Sequence, residues 1–257
     1  MPRMLFEHPP VFEVVFSVQL DGRLPLKAFD VPKIHQAVAD MFPEVVEQPP
    51  LERINFPNQP SITVELETPR IRWWFLSKDG HKLIQLQDDR FLLNWRGLEA
   101  PLREEYPGYD ALRREFLELF TLFEATLKEL GIGSLNMHSC EMAYVNLIAI
   151  DPSKDNKLRL NEHVTFMGFP EEHFIRALNM NWIYDIREND GKVVEFYKAS
   201  AAMGSTPDER PALHLTLEGT SRVEESLEIH FDRIHANIHN YFLELTTDIM
   251  HQKWKKK

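Results

Sequence analysis

Val11-Phe12-Glu13-Val14-Val15-Phe16-Ser17-Val18-Gln19-Leu20 is dense in β-branched and aromatic residues, and His8-Pro9-Pro10 in front of it blocks a helix, so the stretch reads as a strand. Its centre, Glu13-Val14-Val15-Phe16, has a counterpart in Glu141-Met142-Ala143-Tyr144, inside a second apolar run from Leu135 to Ile150. After each of these strands the chain passes through a polar run and a set of short strands, then closes on a long amphipathic helix. The first helix covers Tyr109 to Leu130 and the second about Ser226 to His251. An order of elements that occurs twice implies two similar halves packed on one another. The expected fold class is therefore α+β, with residues 1–131 and 132–257 as related halves in one compact body. Each is an antiparallel curved sheet covered by a long C-terminal amphipathic helix, and Gly131-Ile132-Gly133-Ser134 joins them. Such a duplicated helix-on-sheet would share its shape, and only its shape, with TATA-binding protein. Identity between the halves is low beyond the leading strands, so the duplication rests on the order of elements.

The elements between follow from turn chemistry and periodicity. Asp30 stands at a helix N-cap position with Pro32 behind it, and Ile34, Val38, Met41 and Phe42 fall at helical spacing up to Pro43. Gln48-Pro49-Pro50 marks a rigid connection. A meander is expected over Ile62 to Leu66, Ile71 to Ser77, Lys82 to Gln87 and Arg90 to Trp95, with turns at Asp79-Gly80 and Asp88-Asp89. Phe91, Leu93 and Trp95 alternate with Arg90, Leu92 and Asn94, giving one apolar and one mixed face. The apolar face needs a cover, and the stripe Tyr109, Leu112, Phe116, Leu119, Phe120, Phe123, Leu127 and Leu130 supplies it. In the second half Trp182 to Arg187 and Lys192 to Ala199 flank the hairpin signal Asn189-Asp190-Gly191, Leu213 to Leu217 adds a strand, and the last helix carries Leu227, Phe231, Ile234, Ile238, Tyr241, Phe242, Leu245 and Ile249.

Composition narrows the function. With 43% hydrophobic and 27% charged residues the chain is ordinary for a globular protein. A formal net charge of -11 disfavours nucleic acid as a partner, since a phosphate backbone attracts clustered Lys and Arg. The basic cluster at Lys253, Lys255, Lys256 and Lys257 reads as a solvated tail. One cysteine, Cys140, excludes a disulfide scaffold and a cysteine-rich zinc site, and no run approaches a membrane span, so a cytoplasmic location is expected. Gly-x-Ser-x-Gly, a phosphate-binding glycine loop and a dinucleotide fingerprint are all missing from a chain with 10 glycines, which disfavours the enzyme classes those motifs identify and implies no cofactor.

The stretches Pro9-Pro10-Val11-Phe12-Glu13-Val14-Val15-Phe16, Ile84 to Arg96 with its Gln85-x-x-x-x-Arg90-Phe91-x-x-Asn94-Trp95 core, Tyr106-Pro107-Gly108-Tyr109, Tyr144-Val145-Asn146, and His235-Ala236-Asn237-Ile238 followed by Phe242 cover most of the chain. Together they resemble a sporadically distributed, uncharacterised family of prokaryotic proteins of about this size. The resemblance brings no activity, cofactor or catalytic set with it. Its patchy occurrence implies accessory or defence-related gene cassettes.

Two constellations carry candidate chemistry. Gln85, Gln87, Arg90, Asn94 and Arg96 could project from neighbouring strands of the meander, where amide and guanidinium groups in one array can hydrogen-bond a ligand or an approaching backbone. On the last helix Glu228, Asp232, His235 and His239 form one stripe, and Asp232, His235 and His239 could hold a divalent metal, although the His-Glu-x-x-His order of metalloproteases is missing. Trp73 and Trp74 must point to opposite faces, with core packing expected of both, and alternation turns Glu13 and Glu141 outward. Cys140 reads as a small buried hydrophobe rather than a nucleophile based on His138. The leading expectation is a non-catalytic binding component that recognises a protein partner or small ligand through the polar sheet face or the cleft between halves. A homodimer stays open. The alternative is a metal-dependent hydrolase or nuclease using Asp232, His235 and His239.

Overall fold

The computed structural model describes residues 6–56, 70–97, 106–133, 135–150, 159–168, 177–188, 191–206 and 208–255. The expected first strand, β1 (Val11–Leu20), lies in the middle of a sheet, paired antiparallel on one side with β5 (Arg90–Arg96) and on the other with β6 (Met137–Ala149). Outward from β5 run β4 (Lys82–Gln87), β3 (Arg72–Leu76) and β2 (Glu44–Gln48); outward from β6 run β9 (Pro211–Arg222), β8 (Val193–Ser205) and β7 (Asn179–Arg187). Every pairing is antiparallel, in the order β2-β3-β4-β5-β1-β6-β9-β8-β7.

Among the described residues the strands form this single nine-stranded sheet, which overturns the expected α+β chain of two related halves, each an antiparallel sheet with its own long C-terminal helix. The physical reason is the β1–β6 ladder, which runs from Val11 opposite Asn146 to Leu20 opposite Met137. The strands read as leaders of separate halves satisfy each other's backbone groups at the centre of one layer. Periodicity specifies which face of a strand is apolar and says nothing about which strand lies beside it.

Few helices accompany the sheet: among the described residues there are four, α1 (Val31–Gln36), α2 (Tyr109–Glu129), α3 (Leu227–Leu245) and α4 (Asp248–Lys253). The chain enters α2 from Gly108 at φ 91° and leaves it through Gly131 at φ 74°, where Ile132 N–H closes back onto the Leu127 carbonyl at 2.9 Å. The helix after Ser226 is shorter than its stripe implies. Thr246 is extended at ψ 151°, and Thr247 starts α4 by accepting from Met250 N–H, which leaves Ile249 58% exposed instead of in the core. Likewise α1 stops at Gln36, and Met41 points to solvent while Phe42 is buried. β2 occupies residues with no strand expectation; the expected strand Ile62 to Leu66 and most of the Asn189-Asp190-Gly191 turn lie outside the described residues.

Helices α2 and α3 lie on the same face and share one core. Phe16 of β1 meets Phe116 of α2 at 5.6 Å and Phe231 of α3 at 5.1 Å, and those two rings meet each other at 5.2 Å. Fully burying side chains of this size contributes about 1.5–3 kcal/mol each before ordering costs. Among the described residues no helix is long and apolar enough to cross a membrane.

Candidate functional site

The polar array of the meander is on the sheet face away from α2 and α3, and it is not exposed. Gln85, Gln87, Arg90 and Asn94 are each no more than 6% accessible. The register places Gln87 opposite Arg90 and Arg90 opposite Gln19, so the three make one row across β4, β5 and β1. Over that row runs the chain's own segment 49–56. The Gln87 carboxamide accepts from Leu51 N–H at 2.8 Å and donates to Leu51 carbonyl at 3.1 Å, the Gln19 carboxamide does the same for Ile54 at 2.7 and 2.9 Å, and Arg90 donates to the Glu52 carbonyl at 2.9 Å. Each glutamine thus acts as a backbone surrogate. From Leu51 to Ile54 the extended chain advances roughly 10 Å, the width of two strand spacings of about 4.8 Å, which is why every surrogate meets a peptide group. Phe56 continues the crossing and is buried edge-on against Phe196 of β8, with the Arg222 guanidinium 4.0 Å from its ring.

The remaining members are also engaged. Gln85 donates to Asn94 at 2.7 Å and accepts from Arg72 and Trp74, Asn94 donates to Glu13 at 2.7 Å, and Arg96 donates to the Gly80 carbonyl at 2.8 Å. The expectation that Gln85, Gln87, Arg90, Asn94 and Arg96 form an open polar surface is therefore corrected: Gln87, Arg90 and Arg96 bind the protein's own backbone, and Gln85 and Asn94 bind neighbouring side chains. Burial depresses the pKa of Arg90, while Glu141 and Asp89 oppose that loss of charge. Glu141, half-buried on this face, has its carboxyl raised by burial and by nearby Glu218, against the pull of Arg90 and Lys198. Trp73 and Trp74 do take opposite faces: Trp73 packs on the helix-side core and Trp74 joins the Gln85 network.

A cleft of about 250 Å³ opens on the helix side, where β1, β6 and β9 meet the start of α2 and the middle of α3. Pro9, Pro10 and Val11 form one wall, Tyr106 to Tyr109 a second, and Ile238 and Phe242 of α3 a third. The first wall is held in place by α4 and the residues after it: Glu7 N–H donates to the Lys255 carbonyl at 3.3 Å, His8 N–H to the Trp254 carbonyl at 3.2 Å, and Phe6 meets Trp254 edge-on. Four stretches far apart in sequence, Pro9-Pro10, Tyr106-Pro107-Gly108-Tyr109, Tyr144 to Asn146 and His235 to Phe242, converge here.

Polar groups cross this apolar wall in a chain. The Tyr106 and Tyr144 hydroxyls are 3.0 Å apart, and the Tyr144 hydroxyl is 3.1 Å from His235 Nδ1. With Nδ1 unprotonated, Tyr106 donates to Tyr144 and Tyr144 to His235. The His235 ring lies flat on Tyr109, 3.8 Å between centroids and 2° between planes, and the Tyr109 hydroxyl donates to Asp232 at 2.7 Å. Arg113 of α2 donates to the same carboxylate oxygen at 2.7 Å. Burial works against the Arg113 charge, but Tyr109, Asp232, Glu228 and Asp110 outweigh it and hold its pKa above the ordinary value. Asn146, buried on β6, is anchored by donating to the Leu215 carbonyl at 3.1 Å.

The helical stripe of the hydrolase alternative does not converge as a ligand set. Asp232 is engaged by Tyr109 and Arg113, His235 by Tyr109 and Tyr144, and the His239 ring lies 6.1 Å from His235. Among the described residues no group of three or more His, Cys, Asp or Glu is placed to hold a metal ion. Cys140 is fully buried, and burial pushes its thiol far up, as expected of a small core hydrophobe.

A second buried cluster joins residues whose spacing along the chain gives no hint of it. Ser221 Oγ is 2.9 Å from His230 Nδ1 and 3.3 Å from Glu195, which also receives Arg233 and the Tyr197 hydroxyl. Serine, histidine and glutamate are together, yet the arrangement is wrong for a nucleophile. His230 Nε2 accepts from the N–H groups of Glu224 and Glu225, both at 3.1 Å, and Ser221 Oγ and the Arg233 guanidinium each approach Nδ1 to 2.9 Å. Both ring nitrogens are engaged, and Glu195 bonds the serine rather than the far nitrogen that an orienting acid would hold. Burial and then Arg233 depress the His230 pKa, consistent with a neutral ring that fastens the turn before α3.

Comparison with protein-family models, curated proteins and solved structures gives no match.

Proposed function

We propose that the protein is a non-catalytic binding component that captures a small ligand in the cleft beside α3. The observation that supports this is the Tyr106–Tyr144–His235 hydrogen-bond chain set in a wall of prolines and apolar side chains. A concave apolar site with a few convergent polar groups is the usual form of a small-molecule pocket. The sealed state of the meander array counts against an open polar sheet face and so favours the cleft as the recognition surface.

A thermal-shift screen of small molecules tests the reading. A ligand present at about 100 times its Kd stabilises the folded state by about 2.7 kcal/mol, which raises Tm by about 5–10 °C for a chain of this length. Val11→Trp pushes an indole into the cleft from the β1 wall and should abolish the shift while the circular dichroism spectrum stays native. Hits that stabilise Val11→Trp equally, or a screen without hits, defeat the proposal.

A further inference from the structure

We infer that the ligand is a neutral, planar heteroaromatic ring system of one or two fused rings, an inference that rests on the binding reading above. Size is the first argument. About 250 Å³ falls just under the range of roughly 300–1,000 Å³ that drug-sized ligands occupy, and so admits a small ring system without large substituents. The second argument is the character of the walls. Pro9, Pro10 and Pro107 present flat C–H faces, and Tyr106, Tyr144 and Phe242 add aromatic rings, surfaces that suit a π-face with little demand for shape.

Polarity supplies the third argument. The Tyr106, Tyr144 and His235 chain and the Asn146 amide set hydroxyl, imidazole and carboxamide dipoles into the wall, with the hydroxyl protons used within the chain, and such a polar strip suits the edge of a ring carrying nitrogen or carbonyl oxygen. Charge is the fourth. Among the described lining residues there is no lysine or arginine to neutralise a phosphate or carboxylate. The carboxylate that does line the cleft, Glu7, has the Lys255 ammonium 3.7 Å away, so it does not offer a cationic ligand an uncompensated counter-charge. A free heterocycle of the nucleobase kind meets all four conditions, whereas its phosphorylated form does not.

Isothermal titration of the purified protein with adenine, uracil and nicotinamide, beside adenosine monophosphate, inorganic phosphate and tetramethylammonium, tests the inference. At least one neutral heterocycle should bind, and Tyr144→Phe should weaken it on the order of tenfold by deleting one hydroxyl from the polar chain. Tyr106→Phe, which leaves Tyr144 and His235 in contact, serves as a second variant and should weaken binding less. Adenosine monophosphate should bind more weakly than adenine. Binding of tetramethylammonium or phosphate with no response to the three neutral heterocycles overturns the inference and leaves the cleft as a ligand site. A thermal-shift hit that is aliphatic does the same. The absence of any ligand in either experiment overturns both.

Discussion

Replacing Gln87 by leucine tests whether the segment over the sheet is held by side chains acting as backbone. Leucine keeps most of the volume and deletes three hydrogen bonds, two to Leu51 and one to Asp89 at 2.8 Å. At about 1 kcal/mol net each these amount to about 3 kcal/mol, and a Leu51 N–H and carbonyl left dry would add about 1–3 kcal/mol apiece. Segment 49–56 can escape that second cost by lifting into water, so the loss should settle at about 2–4 kcal/mol. A urea titration reads it as a lower midpoint, and hydrogen exchange should show faster exchange at the amides of Leu51 and Ile54. Because Gln19 holds the same segment, the double variant Gln19→Leu/Gln87→Leu should cost less than the sum of the single ones. A Gln87→Leu protein within about 0.5 kcal/mol of the parent, its Leu51 amide still protected, would refute the reasoning.

Three further outcomes are expected. His230 has a folded-state pKa below its usual 6.5, so the unfolded chain takes up the proton first; stability is full above pH 6.5 and falls as the pH drops below it toward the folded value. Urea midpoints at pH 7.5 and 5.5 should show this loss, and it should shrink in His230→Gln. At Gly219 a Cβ would lie 2.6 Å from Ile234 Cγ2 and 2.7 Å from Tyr197 Cε1, so Gly219→Ala must push α3 off β9 at a cost of about 1–3 kcal/mol, read by thermal unfolding; a neutral result would mean that the helix does not sit so close. Cys140 should resist a thiol reagent in native buffer and react at once in 6 M guanidinium, and native-state labelling at the denatured rate would contradict its burial.

Local features were the legible ones. The stripe from Tyr109 to Leu127 is buried as its spacing requires, and Phe91, Leu93 and Trp95 face the core as alternation demands. Failures arose where a distant part of the chain decides the outcome. Alternation with those aromatics places Arg90 and Asn94 on the opposite face and says nothing of its burial; a segment about 38 residues from Arg90 in sequence covers that row, and no periodicity encodes the approach. A signal was present in retrospect: Gln19, Gln85 and Gln87 are long polar side chains inside otherwise apolar strands, where a carboxamide needs a buried partner. The break at Thr246-Thr247 was readable too, since a β-branched pair followed by Asp is a fair helix restart. The cleft was not. Its stretches stood out one by one, and only the β1–β6 pairing, invisible to a single sequence, brings Pro9, Tyr106, Tyr144 and His235 to one place.

Glutamine carboxamides that grip peptide groups are blind to the letters they hold. Leu51 and Ile54 could be exchanged for most other residues without loosening Gln87 or Gln19, because the bonds go to main-chain N–H and carbonyl. Counting is another matter. One residue inserted or deleted between them would throw the segment out of step with the pitch of the strands below, so this part of the molecule should tolerate spelling changes and reject changes of length.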